Sequence, residues 1–456
     1  DDRRPRPMKR LLRRLYHSAL TLAVLALALP RHAGRARRAR RAPLPAGTPG
    51  GNPGRNLARA PGRDLAGEPE EGPGRILVIR FGLLGDGTAL LSPTLQRLRR
   101  AFPQAEVHVL ATPLQRPLLE GLPFVDRVLT WEAGDLTEPR QALRPGAWRA
   151  AARAIREVRR EGYDLVLACY GRLASAVALL SGAPHSLGYA GEAYPLALTA
   201  ALPGKRYDRP GWHEVDYGVA LVDFAAGKPA GEVATCRPDA RGEAAPAPRL
   251  GVTEEGRAGL VPLLEERAGR AGPKGLEGFP PGRLIVLHPG VTNGRAKRWP
   301  VPYWVDLAGR LRRDGATVVL AGGPDVRPFA RAVRGAAGDG ILDLTGRTSL
   351  PVLMALLERA DALVSGDSGP VHLAVSLERP VVAIHGPTDP RESGPFRGAR
   401  AVVARRDLPC SPCYTLERIA ECPLGHALCQ WLVTPEEVYR AVHQLLGAAP
   451  PEPRIP

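Results

Sequence analysis

At 456 residues with 44% apolar side chains, the chain is too long for one ordinary domain and rich enough in hydrophobic residues for two or three packed cores. Its formal net charge of +17 is concentrated at the front: residues 1–71 hold 16 Arg and Lys against 6 Asp and Glu, a net of +10 that leaves +7 for the rest. Six cysteines in a chain this long argue against the disulfide-stapled class of small secreted domains. The basic tail suits anionic phospholipid or phosphorylated glycolipid, and no recognition motif accompanies it to suggest nucleic acid.

The tail comes first. Met8 followed by KRLLRR has the form of a translation start with a positive n-region. Residues 15–29 are an almost wholly apolar run, about 22 Å long as a helix and short of the roughly 20 residues that span hydrocarbon. Basic residues (RHAGRARRARR) follow at once and disfavour export. Charge on both flanks fits a helix lying at the cytoplasmic face of a membrane, so the expectation is a cytoplasmic protein held peripherally at a membrane's inner face. A cleaved signal peptide and a disordered extension are the alternatives. Residues 42–72, rich in Pro, Gly and Arg, read as a flexible linker, so 1–72 stands apart as a basic tail.

From Arg75 the pattern changes to short apolar runs alternating with helical periodicity. RILVIR at 75–80, EVHVL at 106–110, RVLTW at 127–131 and YDLVLACY at 163–170 read as strands, with the basic helix AWRAAARAIREVRREG leading into the last. Residues 237–249 read as a linker. The pattern restarts with strands in LIVLHPG at 284–290 and TVVLAGG at 317–323, then ILDLTG, DALVSGDSG and PVVAIHG. The expected fold is α/β, two doubly wound Rossmann-like domains facing across a cleft in the GT-B manner, with domains at 73–240 and 241–456.

The polar motifs fall where strands run into loops, the ligand-binding end of such sheets. After the first strand the chain reads RFGLLGDG. Arg80, Gly82 and Gly85 lie on this loop, and its glycines let backbone approach a ligand. It does not match G-x-G-x-x-G, which disfavours a dinucleotide site. By spacing alone, a helix N-cap is the favoured reading of Asp86 and a cleft carboxylate the alternative. In HPGVTNGRAKRWP, the residues Thr292, Asn293, Arg295, Lys297 and Arg298 suit a diphosphate, whose oxygens backbone N–H groups and hydroxyls cradle and a lysine neutralises; a solvated basic turn is the less favoured alternative. Trp299 reads as core rather than as a base-stacking platform. In SGDSGPVHLAV, Asp367 and Ser368 stand at a turn before a helix, with His372 a turn later, where a structural role is the plainer one. AIHGPTDP, with His385 and Thr388, closes the next strand in the same way. No D-x-D occurs, which favours neutralisation by lysine and helix termini over a divalent metal.

Taken together and in this order, ILVIRFGLLGD, HPGVTNGRAKRWPVPYW, LTGRTSLPVLMALLERADALVSGDSGPVHLA and HGPTDP resemble glycosyltransferase family 9, the ADP-heptose:lipopolysaccharide heptosyltransferases, over residues 75–445. The resemblance implies an inverting transfer that needs no metal cofactor, from ADP-heptose to a lipid A–core oligosaccharide. It implies Asp86 as the base, Lys297 on the donor phosphates with Thr292 and Asn293 beside it, and Asp367 near the donor sugar. Ser368, Gly369 and His372 continue that pattern, and Asp325 falls where relatives carry an acidic residue on the ribose. Phe81, Gly82, Leu83 and Leu84 depart from the Ser or Thr common in relatives. A family member using another nucleotide sugar, an epimerase-like relative, and a non-catalytic nucleotide- or glycan-binding scaffold at the membrane are the competing functions.

The segment CSPCYTLERIAECPLGHALC carries Cys410, Cys413, Cys422, His426 and Cys429, enough ligands for a structural tetrahedral zinc. Reduced packing cysteines, disulfides or another metal are the other readings.

Overall fold

The computed structural model describes residues 16, 18–22, 72–82, 84–268, 282–291, 294–337, 341–414 and 421–447. The chain divides into two compact units, one of Asp1–Leu83 with Leu91–Pro246, the other of Leu84–Leu90 with Ala247–Pro456.

The first unit is built on β1 (Arg75–Arg80), β2 (Glu106–Ala111), β3 (Arg127–Thr130), β4 (Leu165–Tyr170), β5 (His185–Tyr189) and β6 (Ala200–Leu202). They form one parallel sheet in the order β3-β2-β1-β4-β5-β6. Ile76, Leu77, Val78 and Ile79 are wholly buried, because a central parallel strand is covered on both faces and therefore reads as a continuous apolar run. Val78 stands in register with Val109 on one side and Leu167 on the other. The covering helix Pro145–Glu161 starts on a proline, whose missing N–H costs nothing there, and stops at Gly162 in the left-handed region (φ 67°). It buries Ala151, Ala154 and Val158 on one stripe and leaves its arginines outward.

The second unit repeats the plan with β7 (Leu284–His288), β8 (Thr317–Leu320), β9 (Ile341–Asp343), β10 (Ala362–Gly366), β11 (Val381–Ile384) and β12 (Ala401–Ala404). Their order is β12-β11-β10-β7-β8-β9, again all parallel. Read from its other edge this is the same 3-2-1-4-5-6 succession, so each unit is Rossmann-like and the α/β doubly wound expectation holds. Its core gathers Ile285, Leu287, Val318, Val364 and Val382 with Trp299 and Trp304. Trp299 is core, as expected: its ring meets Trp304 edge-on at 5.0 Å and its Nε1 donates to Val433 O at 2.8 Å.

Three strands escaped the sequence pattern: β5 (HSLGY), β6 (AAL) and β12 (AVVA). Of the tail's apolar run, Tyr16 and residues 18–22 are described, in helical conformation. Tyr16 Oη donates to Leu136 O at 2.7 Å, and Leu20 packs on Leu179, Tyr194 and Ala197. The rest of the run and the linker at 42–71 lie outside the described residues. Among the described residues no helix is long and apolar enough to cross a membrane.

Candidate functional site

In a doubly wound sheet the loops at the carboxyl ends of two neighbouring strands part where the strand order reverses. In the second unit that point lies between β7 and β10, and the chain places a cation after one and a carboxylate after the other. Lys297 ends the single 3-10 turn Arg295–Lys297 that follows β7, and Asp367 directly follows β10. Lys297 Nζ lies 2.8 Å from Asp367 Oδ2, with the two side chains 11% and 8% exposed. Burial alone would raise the Asp367 carboxyl, but His385, Lys297 and a Thr388 hydroxyl bond hold it at about 2. Burial pushes the His385 imidazole below its ordinary value, so the full positive charge facing Asp367 is the lysine's.

Hydroxyls and imidazoles brace this pair. Ser368 Oγ and Ser365 Oγ are 3.0 Å apart, and both approach His288 Nδ1, at 3.4 and 3.3 Å. Burial takes the His288 imidazole down to about 4, so the ring is neutral near pH 7. His385 Nδ1 lies 3.2 Å from Thr388 Oγ1. The cysteine-bearing segment is tied to the same loop, through Ser411 Oγ donating to Gly386 O at 2.6 Å and the Cys413 and Tyr414 amides donating to Pro387 O at 2.9 Å. Tyr414 thereby sets its ring 4.3 Å from Lys297 Nζ.

The helix Gly369–Ser376 starts immediately after this turn, with Ser368 at its N-cap. Against it packs Gly85–Ala89, one π-helical turn carrying Asp86 and belonging to the same unit. The fit requires glycine at position 85, since a Cβ there would stand 2.7 Å from His372 Cδ2 and 3.2 Å from Gly369 Cα. His372 is buried in this contact. Asp86 is half-exposed in the first turn, and the N-cap position belongs to Leu84, so the N-cap reading of Asp86 does not hold. Isolated π-helical turns are costly and recur at functional sites.

Arg80, expected on the loop after β1, is instead the last residue of that strand. Its side chain is 2% exposed and turns into the first unit, where Nη2 lies 2.5 Å from Glu214 Oε1. Arg206 bonds the same oxygen, stacks 3.1 Å over the Tyr170 ring and lies 3.6 Å from Glu192. Burial by itself would raise Glu214, but Arg206 and Arg80 overcome it and hold the carboxyl at about 2. Gly82 is exposed, and its carbonyl accepts from Gln115 Nε2 at 3.2 Å. Asp325 is exposed on the turn Pro324–Val326 after β8. Thr292 and Asn293 lie outside the described residues.

The zinc reading of Cys410, Cys413, Cys422 and Cys429 finds no support. None of the four is in a disulfide, and among the described residues no group of three or more His, Cys, Asp or Glu is arranged to hold a metal ion. Cys429 is buried, and burial together with the neighbouring Cys413, Cys422 and Cys410 raises its thiol to about 11. Two participants escaped the sequence reading altogether. Glu214 opens a helix with no motif around it, and Tyr414 stands beside the cysteines without a spacing of its own.

The family described as glycosyltransferase family 9 (heptosyltransferase) matches residues 151–423. The chain is 28% identical over 390 residues to lipopolysaccharide heptosyltransferase 2 of Salmonella typhimurium, across 82% of this chain and 99% of that one. It is 29% identical over 348 residues to lipopolysaccharide heptosyltransferase 2 of Escherichia coli, across 72% and 87%. A solved family 9 glycosyl transferase from Veillonella parvula shares the fold with a TM-score of 0.65 at 22% identity, covering 82% of this chain and 97% of that one. So does the E. coli ADP-heptose lps heptosyltransferase II, with a TM-score of 0.60 at 24% identity over 82% and 98%.

Proposed function

Since the chain belongs to glycosyltransferase family 9 and is a glycosyltransferase, we propose that it moves a heptose from ADP-heptose onto the inner core of lipopolysaccharide by an inverting, metal-independent displacement. The observation that carries this reading is the Lys297–Asp367 pair at the strand-order reversal, with the Asp86 turn packed on the helix that follows. Lys297 receives the donor diphosphate, together with Thr292, Asn293 and the amino end of the helix Gly369–Ser376, whose dipole favours an anion. Asp367 orients Lys297 and meets the sugar. Ser368, Gly369 and His372 keep that turn in place, and Asp325 reaches the ribose. Asp86 takes the proton of the acceptor hydroxyl as its oxygen attacks the anomeric carbon. The bond to the diphosphate breaks on the opposite face, and the charge gathering on ADP is met by the lysine. Arg80 acts from behind, holding the start of the Gly82–Gly85 loop through Glu214.

The acceptor is carried on a membrane. The net +10 of residues 1–71 supports attraction to an anionic surface at the cytoplasmic face. Residues 73–240 serve the acceptor in this scheme, and 241–456 the donor.

The test is ADP release by the purified full chain, given ADP-heptose and a lipid A–Kdo or core acceptor, with a panel of other nucleotide sugars in parallel. Turnover is expected to survive EDTA. Asp86→Asn should lower kcat on the order of a hundredfold or more while donor affinity stays within about twofold. Near wild-type turnover by that variant removes Asp86 from the role of base, and preference for a different nucleotide sugar removes heptose as the transferred group.

A further inference from the structure

An ammonium group has three N–H bonds, and the surroundings of Lys297 account for two of its sides. Asp367 Oδ2 lies 2.8 Å away on one side and the Tyr414 ring is centred 4.3 Å away on another. Among the described residues these are the contacts of the ammonium group, which leaves an N–H for another partner. With a side chain only 11% exposed, the lysine has little room to turn.

The two walls of this box share one support. Thr388, which bonds Asp367, and Pro387, whose carbonyl receives the Cys413 and Tyr414 amides, are neighbours on the loop after β11. Gly386 on that loop holds Ser411. Tyr414 is thus fixed by backbone to the loop that fixes the carboxylate, and it reaches Lys297 with a ring face that a neighbouring surface residue could not supply. The geometry points to Tyr414 as a positioning residue for the phosphate-binding lysine: its ring and Asp367 together aim the free N–H of Lys297 at an incoming diphosphate. This assignment rests on the donor-site reading above.

The aim is of use because a lysine is otherwise a mobile point charge on four methylenes. Fixing it beforehand removes the ordering cost from the binding step. A ring face also attracts the cation without taking up a hydrogen-bond donor, so the third N–H stays available to phosphate oxygen.

The experiment is calorimetric titration of the full chain with ADP, and with adenosine, which has no phosphate. Tyr414→Leu should weaken ADP roughly fivefold, the equivalent of one partly desolvated cation–π contact, and leave adenosine unchanged. Tyr414→Phe, which keeps the ring, should bind ADP within about twofold of the parent. In a Lys297→Met background Tyr414→Leu should have no further effect, the signature of two residues acting through one contact. Tyr414→Gln repeats the ringless test with a polar side chain should the leucine variant fold poorly. If Lys297→Met leaves ADP affinity intact, the donor-site reading fails. If Lys297→Met weakens ADP but neither ringless variant does, or if they weaken adenosine equally, the assignment of Tyr414 is overturned while the donor site stands.

Discussion

Replacing Glu214 by glutamine keeps its shape and removes its charge, and the first unit should respond by losing much of its stability. The Glu214 side chain is 1% exposed, while the guanidiniums of Arg80 and Arg206 that converge on it are 2% and 5% exposed. An amide leaves these two cations facing each other in a dry pocket. The carboxyl's fall from 4.5 to about 2 corresponds to about 3 kcal/mol in favour of the charged form. Removing one partner of a buried pair costs about the same, roughly 3–5 kcal/mol. Urea unfolding of the full chain at pH 7 is the assay. The transition of the first unit should move by about 3 kcal/mol, and that of the second unit should stay where it is. The sign of the pH dependence follows from the depressed carboxyl. Its stabilisation is complete above pH 4.5 and is lost as pH falls through about 2, where the parent carries a neutral side chain as well. The gap between parent and Glu214→Gln should therefore close between those limits. Equal unfolding free energies at pH 7, or a gap that widens in acid, would refute the buried network as a source of stability.

Gly85→Ala places a methyl group 2.7 Å from His372 Cδ2, an overpacking that should cost about 1–3 kcal/mol in thermal unfolding. Because the same shift displaces the Asp86 turn, kcat should fall with donor affinity retained; wild-type stability together with wild-type kcat would dissolve the contact. His288 gives the second unit an acid sensitivity of its own. Its imidazole titrates near 4 when folded against an ordinary 6.5, so the unfolded chain binds the proton more tightly and stability falls as pH drops from 6.5 towards 4, by up to about 3 kcal/mol. Unfolding at pH 7 and pH 4.5 should show this loss in the parent and not in His288→Phe; the same acid loss in both would assign it elsewhere.

Parts of the molecule that depend on local physics were readable from sequence. β1, β4, β7 and β10 are central parallel strands, buried on both faces, and their apolar runs announce them. β6 has three residues and β12 is a half-exposed edge strand with arginines around it, so neither buries enough to leave a pattern. β5, which contains His185, Ser186 and Gly188, breaks the apolar run that its position in the sheet would otherwise predict. Lys297 and Asp367 could be named because each stands in a loop that follows a strand and whose composition suits an anion, although nothing in the spacing showed that they form a pair. Arg80 was misread for the complementary reason. It ends β1 just before the Gly82–Gly85 loop, and its direction is set by Glu214, 134 residues away along the chain.

That misreading separates two kinds of buried charge at the same place in two similar sheets. In the first unit Arg80 and Arg206 converge on Glu214, and Glu192 balances the second guanidinium. The four charges cancel, with tyrosine rings closing over Arg206. Such a cluster has no net charge to draw an anion, and on the proposed reading its value lies in holding the end of β1 from which the Asp86 loop departs. In the second unit one lysine meets one carboxylate, and the other groups around them, His288, His385, Ser368 and Thr388, are neutral near pH 7. An arriving diphosphate can there bring more negative charge to Lys297 than the single carboxylate supplies, and the neighbouring helix end adds a partial positive charge of its own. On the proposed reading the closed network belongs to architecture and the half-open one to binding, a distinction of charge balance that motif position does not carry.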